Sequence, residues 1–204
     1  MNYEKLKEAE EKFLERYPGG FKNPEMQELV KKHTKQKLTA LAQDVFAKDK
    51  FKNPSMIAEN MIKIVTRSSM VSVFEKPRFR DHVRDLPVKD QVTLSGGLME
   101  FLHGKEETGF NMMLDILIPG KIAKWSIITV WGIYHQPDYH VFCKPTTVKG
   151  IIEYLEIKDL VYKPKPSYEF YNKYRDIINT IKLKVDPSIS IGNAAFSGFL
   201  MMSI

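Results

Sequence analysis

NYEKLKEAEEKFLERYPGGF, residues 2–21, sets the reading of the chain. Tyr3, Leu6, Ala9, Phe13 and Tyr17 recur at steps of three and four with charged residues between them, which places one apolar stripe along a helix. A strand would need alternation at every second residue, and this run offers none. The stripe stops at Pro18 and the pair Gly19-Gly20, where the chain can turn.

The same period continues outward. FKNPEM (21–26) and FKNPSM (51–56) look like a duplication, but each is a helix start: Asn23 and Asn53 suit an N-cap, Pro24 and Pro54 suit the first helical position, and the preceding Phe can staple the entry. Beyond these starts the two segments diverge, so they are not repeats. The pattern predicts further helices over 54–72, 77–85, 88–103, 107–118, 122–134, 146–156 and 167–184. VTLS (92–95) and VFC (141–143) are the best strand candidates, and both are short. The last stretch, SISIGNAAFSGFLMMSI (188–204), is apolar and rich in small residues, which predicts that it packs into the core. The expected fold is all-α, a single globular domain over 1–204 with eight or nine helices.

A hydrophobic content of 43% can furnish a core. No apolar run approaches the roughly 18 residues of a membrane span, and the charged start is unlike a signal peptide. The expectation is a cytoplasmic protein without a membrane role. Cys143 is the only cysteine, which rules out an intrachain disulfide. Lys and Arg stand against Asp and Glu at 12 to 10 over residues 1–60, 8 to 8 over 61–120 and 11 to 7 over 121–204, so most of the excess lies in the last 84 residues and is compatible with an anionic partner.

HQPDYHVFCKPTTVK (135–149) concentrates reactive side chains there. His135, Asp138, His140 and Cys143 are metal-ligand types, but no spacing puts two of them on one helical face, and no metal or other cofactor is expected. Cys143 lies beside Val141 and Phe142, which predicts a buried thiol rather than a nucleophile. An anion grip has more physics behind it. Pro145 disfavours α geometry at Lys144, Thr146 or Thr147 can open and cap a helix, and Lys144 and Lys149 flank its free N–H groups.

Upstream, LIPGKIAKWSII (117–128) forms a turn between helical stretches. Its apolar residue, Pro-Gly, three residues and then Lys resemble the hairpin of the helix-hairpin-helix DNA glycosylases, whose hairpin backbone holds a DNA phosphate. In the lyase-competent members a catalytic lysine follows, and Lys124 falls in that slot. PTTVKGIIEYLEI (145–157) is similar in register to the superfamily's helix that starts just after a catalytic aspartate. The chain departs from the pattern in two places: Gly120, Lys121 and Ile122 stand where two glycines flank an apolar residue, and Pro145 stands in the aspartate slot. The order of PGGF, KWSIIT, KPTTVK and YEFYNKYR also resembles an uncharacterised bacterial family of helical proteins.

The leading expectation is a nucleic-acid-binding protein, with DNA as partner, gripping backbone phosphates through Gly120, Lys121, Lys144, Thr146, Thr147 and Lys149. One alternative is a DNA lyase or glycosylase using Lys124, and another is a structural or protein-interaction module. Arg78, Arg80 and Arg84 form a second basic stretch. Tyr168, Tyr171, Tyr174 and Arg175 lie at helical spacing, which predicts a packed face before a base-stacking one.

Overall fold

In the computed structural model, which describes residues 1–33 and 36–203, the opening stripe is a helix, α1 (Tyr3–Arg16). It buries Leu6, Ala9 and Phe13, and the Asn2 side chain caps it by accepting from the N–H groups of Glu4 and Lys5. The PGGF break is a turn, with Gly20 at φ 60°. A Cβ on Gly20 would lie 2.5 Å from Ser188 Oγ, so this turn is pressed onto a segment from the far end of the chain.

There follow α2 (Pro24–His33), α3 (Gln36–Val45), α4 (Pro54–Arg67), α5 (Glu75–Arg84), α6 (Val88–His103) and α7 (Glu106–Leu117). The second half holds α8 (Trp125–Ile128), α9 (Val130–His135), α10 (Pro145–Tyr154), α11 (Tyr168–Lys182) and α12 (Asn193–Met202). Short 3-10 turns lie at Gly20–Lys22, Lys48–Lys52 and Pro187–Ile189. Among the described residues the fold is all-α, with twelve helices, more than the eight or nine expected, and no strand. One of the extra helices comes from a break at Thr129, whose Oγ1 donates to Trp125 O at 2.7 Å and accepts from Cys143 N at 3.0 Å, dividing the segment expected to be one helix. Others are α3 and α12, the latter seating Phe196, Phe199 and Leu200 in the core as the C-terminal composition predicted; Ile204 lies outside the described residues. VTLS is not a strand but part of α6, where Leu94, Leu98, Phe101 and Leu102 share a buried helical face.

The buried side chains form one continuous core. Near its middle Trp131 of α9 lies 5.6 Å from the Phe79 ring and donates from Nε1 to Met61 O at 3.3 Å. Helices α6 and α7 meet backbone to backbone: a Cβ on Gly109 would stand 2.2 Å from Phe101 N and 2.4 Å from Gly97 O. Helices α7 and α10 end alike. Lys121 (φ 53°) follows the first and Glu156 (φ 52°) the second, both left-handed without being glycine. In each case the two N–H groups that follow the helix fold back onto its last turn: Lys121 N to Ile118 O and Ile122 N to Leu117 O, then Glu156 N to Glu153 O and Ile157 N to Ile152 O. Among the described residues no helix is long and apolar enough to cross a membrane.

Candidate nucleic-acid interface

The turn after α7 is built from the end of one helix and the flank of another. Gly120 packs so closely on His82 of α5 that a Cβ would meet the ring at 2.4 Å, and His82 Nε2 donates to Ile116 O at 2.9 Å. Ser126 Oγ donates to Glu75 Oε2 at 2.7 Å, so the turn runs along α5 from His82 back to Glu75. Because the N–H groups of Lys121 and Ile122 close the end of α7, the turn presents ammonium groups to an anion rather than these two amides. Lys121 and Lys124 are both exposed, and Lys124 is the N-cap of α8.

At the second predicted grip, the helix opens one residue earlier than expected. Pro145 is its first residue and Lys144 its N-cap; neither Thr146 nor Thr147 caps it, because both already lie in its first turn. Among the described residues the N–H groups of Thr146 and Thr147 have no acceptor, so this end keeps its partial positive charge.

The two grips are joined by a pair of aromatic rings. Trp125, next to Lys124, donates from Nε1 to Lys163 O at 2.8 Å and lies 6.4 Å from the Tyr162 ring. Over that ring, at 5.1 Å, sits Lys149 Nζ. Trp125 is buried and Tyr162 half-buried; Lys149 covers the Tyr162 ring, while Lys124 and Lys163 are exposed residues on the two segments that the Trp125–Lys163 bond joins. Among the described residues Lys121, Lys124, Lys144, Lys149, Lys163 and Lys165 are in no salt bridge. The sequence reading missed Tyr162, Lys163 and Lys165, whose signal is the YKPKP run: lysines alternating with prolines cannot pair along a helix face.

The HQPDYHVFC part of the stretch belongs to the interior. Val141 and Cys143 are fully buried, and burial pushes the Cys143 thiol well above its ordinary range, which suits an inert core residue. His140 is also wholly buried, stacked 4.7 Å from Phe101 and 2.8 Å through Nδ1 from Tyr171 OH. Burial, reinforced by Arg175 and His135, holds its ring down to about 3. His135 is held at about 4 by burial and by His103, whose ring it meets edge-on at 5.0 Å. Arg175, 3% exposed, pairs with Glu106 and lies 4.3 Å from the Tyr139 ring. The YEFYNKYR face is packed, with Tyr171 and Tyr174 fully buried. Among the described residues no group of three or more His, Cys, Asp or Glu side chains suits a metal ion.

Of the second basic stretch, Arg80 pairs with Asp81 and Arg84 with Glu59, while Arg78 is in no salt bridge among the described residues. A cleft of about 280 Å³ lies between α4, α5 and α6, lined by Ser55, Ala58, Glu59, Val83, Arg84 and Gln91. Lys124 is not among its walls. No family model, curated protein or solved structure matches the chain.

Proposed function

We propose that the protein binds nucleic acid, with DNA as the first partner to test, through the lysine face around Trp125 and Tyr162. The observation that carries this reading is that the Trp125–Lys163 bond and the Lys149–Tyr162 contact bring three lysine-bearing segments together, with Lys124, Lys149 and Lys163 exposed and in no salt bridge among the described residues. Exposed lysines without salt-bridge partners suit a phosphate backbone, and the half-buried Tyr162 ring, with Lys149 over it, is an aromatic surface beside them. The uncapped start of α10 adds N–H donors for one phosphate.

A binder is favoured over a lyase because a Schiff-base lysine needs a lowered pKa and an enclosed pocket, and Lys124 is exposed and outside the cleft. Borohydride trapping on an abasic oligonucleotide separates the two, and a covalent adduct lost in Lys124→Ala would replace the binding reading with a lyase. The direct test of binding is fluorescence anisotropy with mixed-sequence DNA at several salt concentrations. Affinity should fall steeply with salt, and Lys144→Ala with Lys149→Ala should flatten that dependence by roughly 0.9 per lost phosphate contact. Absence of binding at low salt would end the proposal and leave the interaction-module reading.

A further inference from the structure

Between α4 and α5 the chain carries two adjacent large apolar side chains into solvent: Val73 is 69% exposed and Phe74 81%. This tip is fixed from both sides. Ser68, fully buried, lies 3.1 Å through Oγ from Tyr134 OH and accepts the Met70 N–H, and Val71 is anchored in the core. On the other side Ser72 Oγ accepts the Phe74 N–H at 3.3 Å, Ser72 O accepts the Glu75 N–H at 3.0 Å, and Glu75 is tied to Ser126. The pair is held out by the fold, and burying it against a partner would require little further ordering of the backbone.

Its surroundings indicate the partner. The Glu75–Ser126 hydrogen bond places the tip near the segment of Lys124, Arg78 lies one helical turn beyond Phe74, and Lys121 lies farther along α5, next to Gly120 against His82. These three cations have no salt-bridge partner among the described residues. An apolar point beside unpaired cations matches a stack of bases beside its phosphates.

Resting on the nucleic-acid reading above, we propose that Val73–Phe74 is a wedge inserted between bases, and that it directs the protein to sites where the duplex is already interrupted by an unpaired nucleotide. Parting an intact base step has a free-energy cost similar in size to what one aromatic stack returns, so insertion is favourable chiefly where stacking is already broken. A lipid surface is the weaker fit. Two side chains are a small apolar area for membrane anchoring, which usually needs a broad helical face or two anchoring signals.

The test uses the full chain and two fluorescent DNAs of equal length, one fully paired and one with a single bulged nucleotide next to 2-aminopurine. The expected result is about tenfold tighter binding to the bulged DNA, the equivalent of about 1.4 kcal/mol, with a change in 2-aminopurine emission. Phe74→Ala should erase the preference while leaving the affinity for paired DNA and its salt dependence intact. Phe74→Trp should keep the preference, which guards against a folding artefact. Equal affinity for the two DNAs, or a preference that survives in Phe74→Ala, would overturn the wedge while leaving the lysine face standing. No binding to either DNA at low salt would overturn both readings. Sedimentation with phosphatidylserine vesicles that depends on Phe74, without any preference between the DNAs, would reassign the tip to lipid.

Discussion

Between α6 and α7, Gly109 and Gly97 stand where any side chain would collide with the facing helix, whereas at the ends of α7 and α10 the left-handed backbone that glycine adopts most easily is occupied by Lys121 and Glu156. The seam needs glycine for its missing volume; the two helix ends do without glycine where its conformational freedom would help. The two ends differ in turn from each other. Glu156 is engaged by Lys5 at 2.9 Å and by Asn2 at 3.3 Å, so its charge has an internal use. Lys121 has no salt-bridge partner among the described residues and is exposed beside Lys124. The same left-handed backbone thus carries an ion pair at one helix end and, among the described residues, none at the other.

The sharpest way to break this contrast is Gly109→Ala. Its Cβ would meet backbone atoms that cannot rotate away, so urea denaturation should show a loss of roughly 3 kcal/mol or more. Gly97→Ala should cost less, about 2 kcal/mol, because its Cβ would meet Met112 Cβ and Met113 Cγ at 3.0 Å and Gly109 O at 3.1 Å, contacts looser than those at Gly109. Similar losses for the two variants would mean that the seam is less tight than its geometry implies.

Acid tests the interior without altering the lysine face. The folded-state pKa of His140, about 3, lies below the ordinary histidine value, so the unfolded chain takes up the proton first. Stability should therefore be constant above about pH 7 and fall as the pH drops below about 6.5, by about 2 kcal/mol between pH 6.5 and 4.5 from this ring. His135 pushes in the same direction. Urea melts across that range give the slope, and His140→Gln should flatten it; an unchanged slope would place the acid sensitivity elsewhere.

At the helix ends the expected effects are smaller and of opposite sign. Lys121→Gly should raise stability by about 1 kcal/mol by relieving the left-handed strain, and thermal melts would show it. Glu156→Gly should gain less, because Lys5 and Asn2 lose their partner. The least effect on stability belongs to Lys144→Ala with Lys149→Ala, within about 0.5 kcal/mol per site, although the pair should shift DNA binding the most.

What could be foreseen from the sequence follows the range of the interactions involved. The start of α4 was legible because Asn53 and Pro54 act within one turn: the Asn53 side chain accepts from Met56 N as its type predicts. The limits of α6 at 88 and 103 were legible for the same reason, whereas VTLS misled because a four-residue window omits Leu98 and Phe101, which fix the helical period. The break at Thr129 depends on Cys143, fourteen residues later, and no local pattern announces it. At the candidate interface the lysines were visible as residue types. The meeting of their segments was not, since the Lys149–Tyr162 and Trp125–Lys163 contacts form only in the fold. The exposure of Val73 and Phe74 was hidden likewise, because an apolar residue in sequence carries no mark of lacking a partner.

Cys143 gives the chain a built-in clock. Its side chain is wholly buried and its N–H is held by Thr129, so a thiol-reactive dye reaches the sulfur only when the surrounding helices open. With one cysteine in the sequence, each labelled molecule records one such opening. When reclosing is faster than labelling, the observed rate divided by that of the unfolded chain gives the open fraction under native conditions. Under the proposed function, slower labelling on adding DNA would measure how far binding steadies this core.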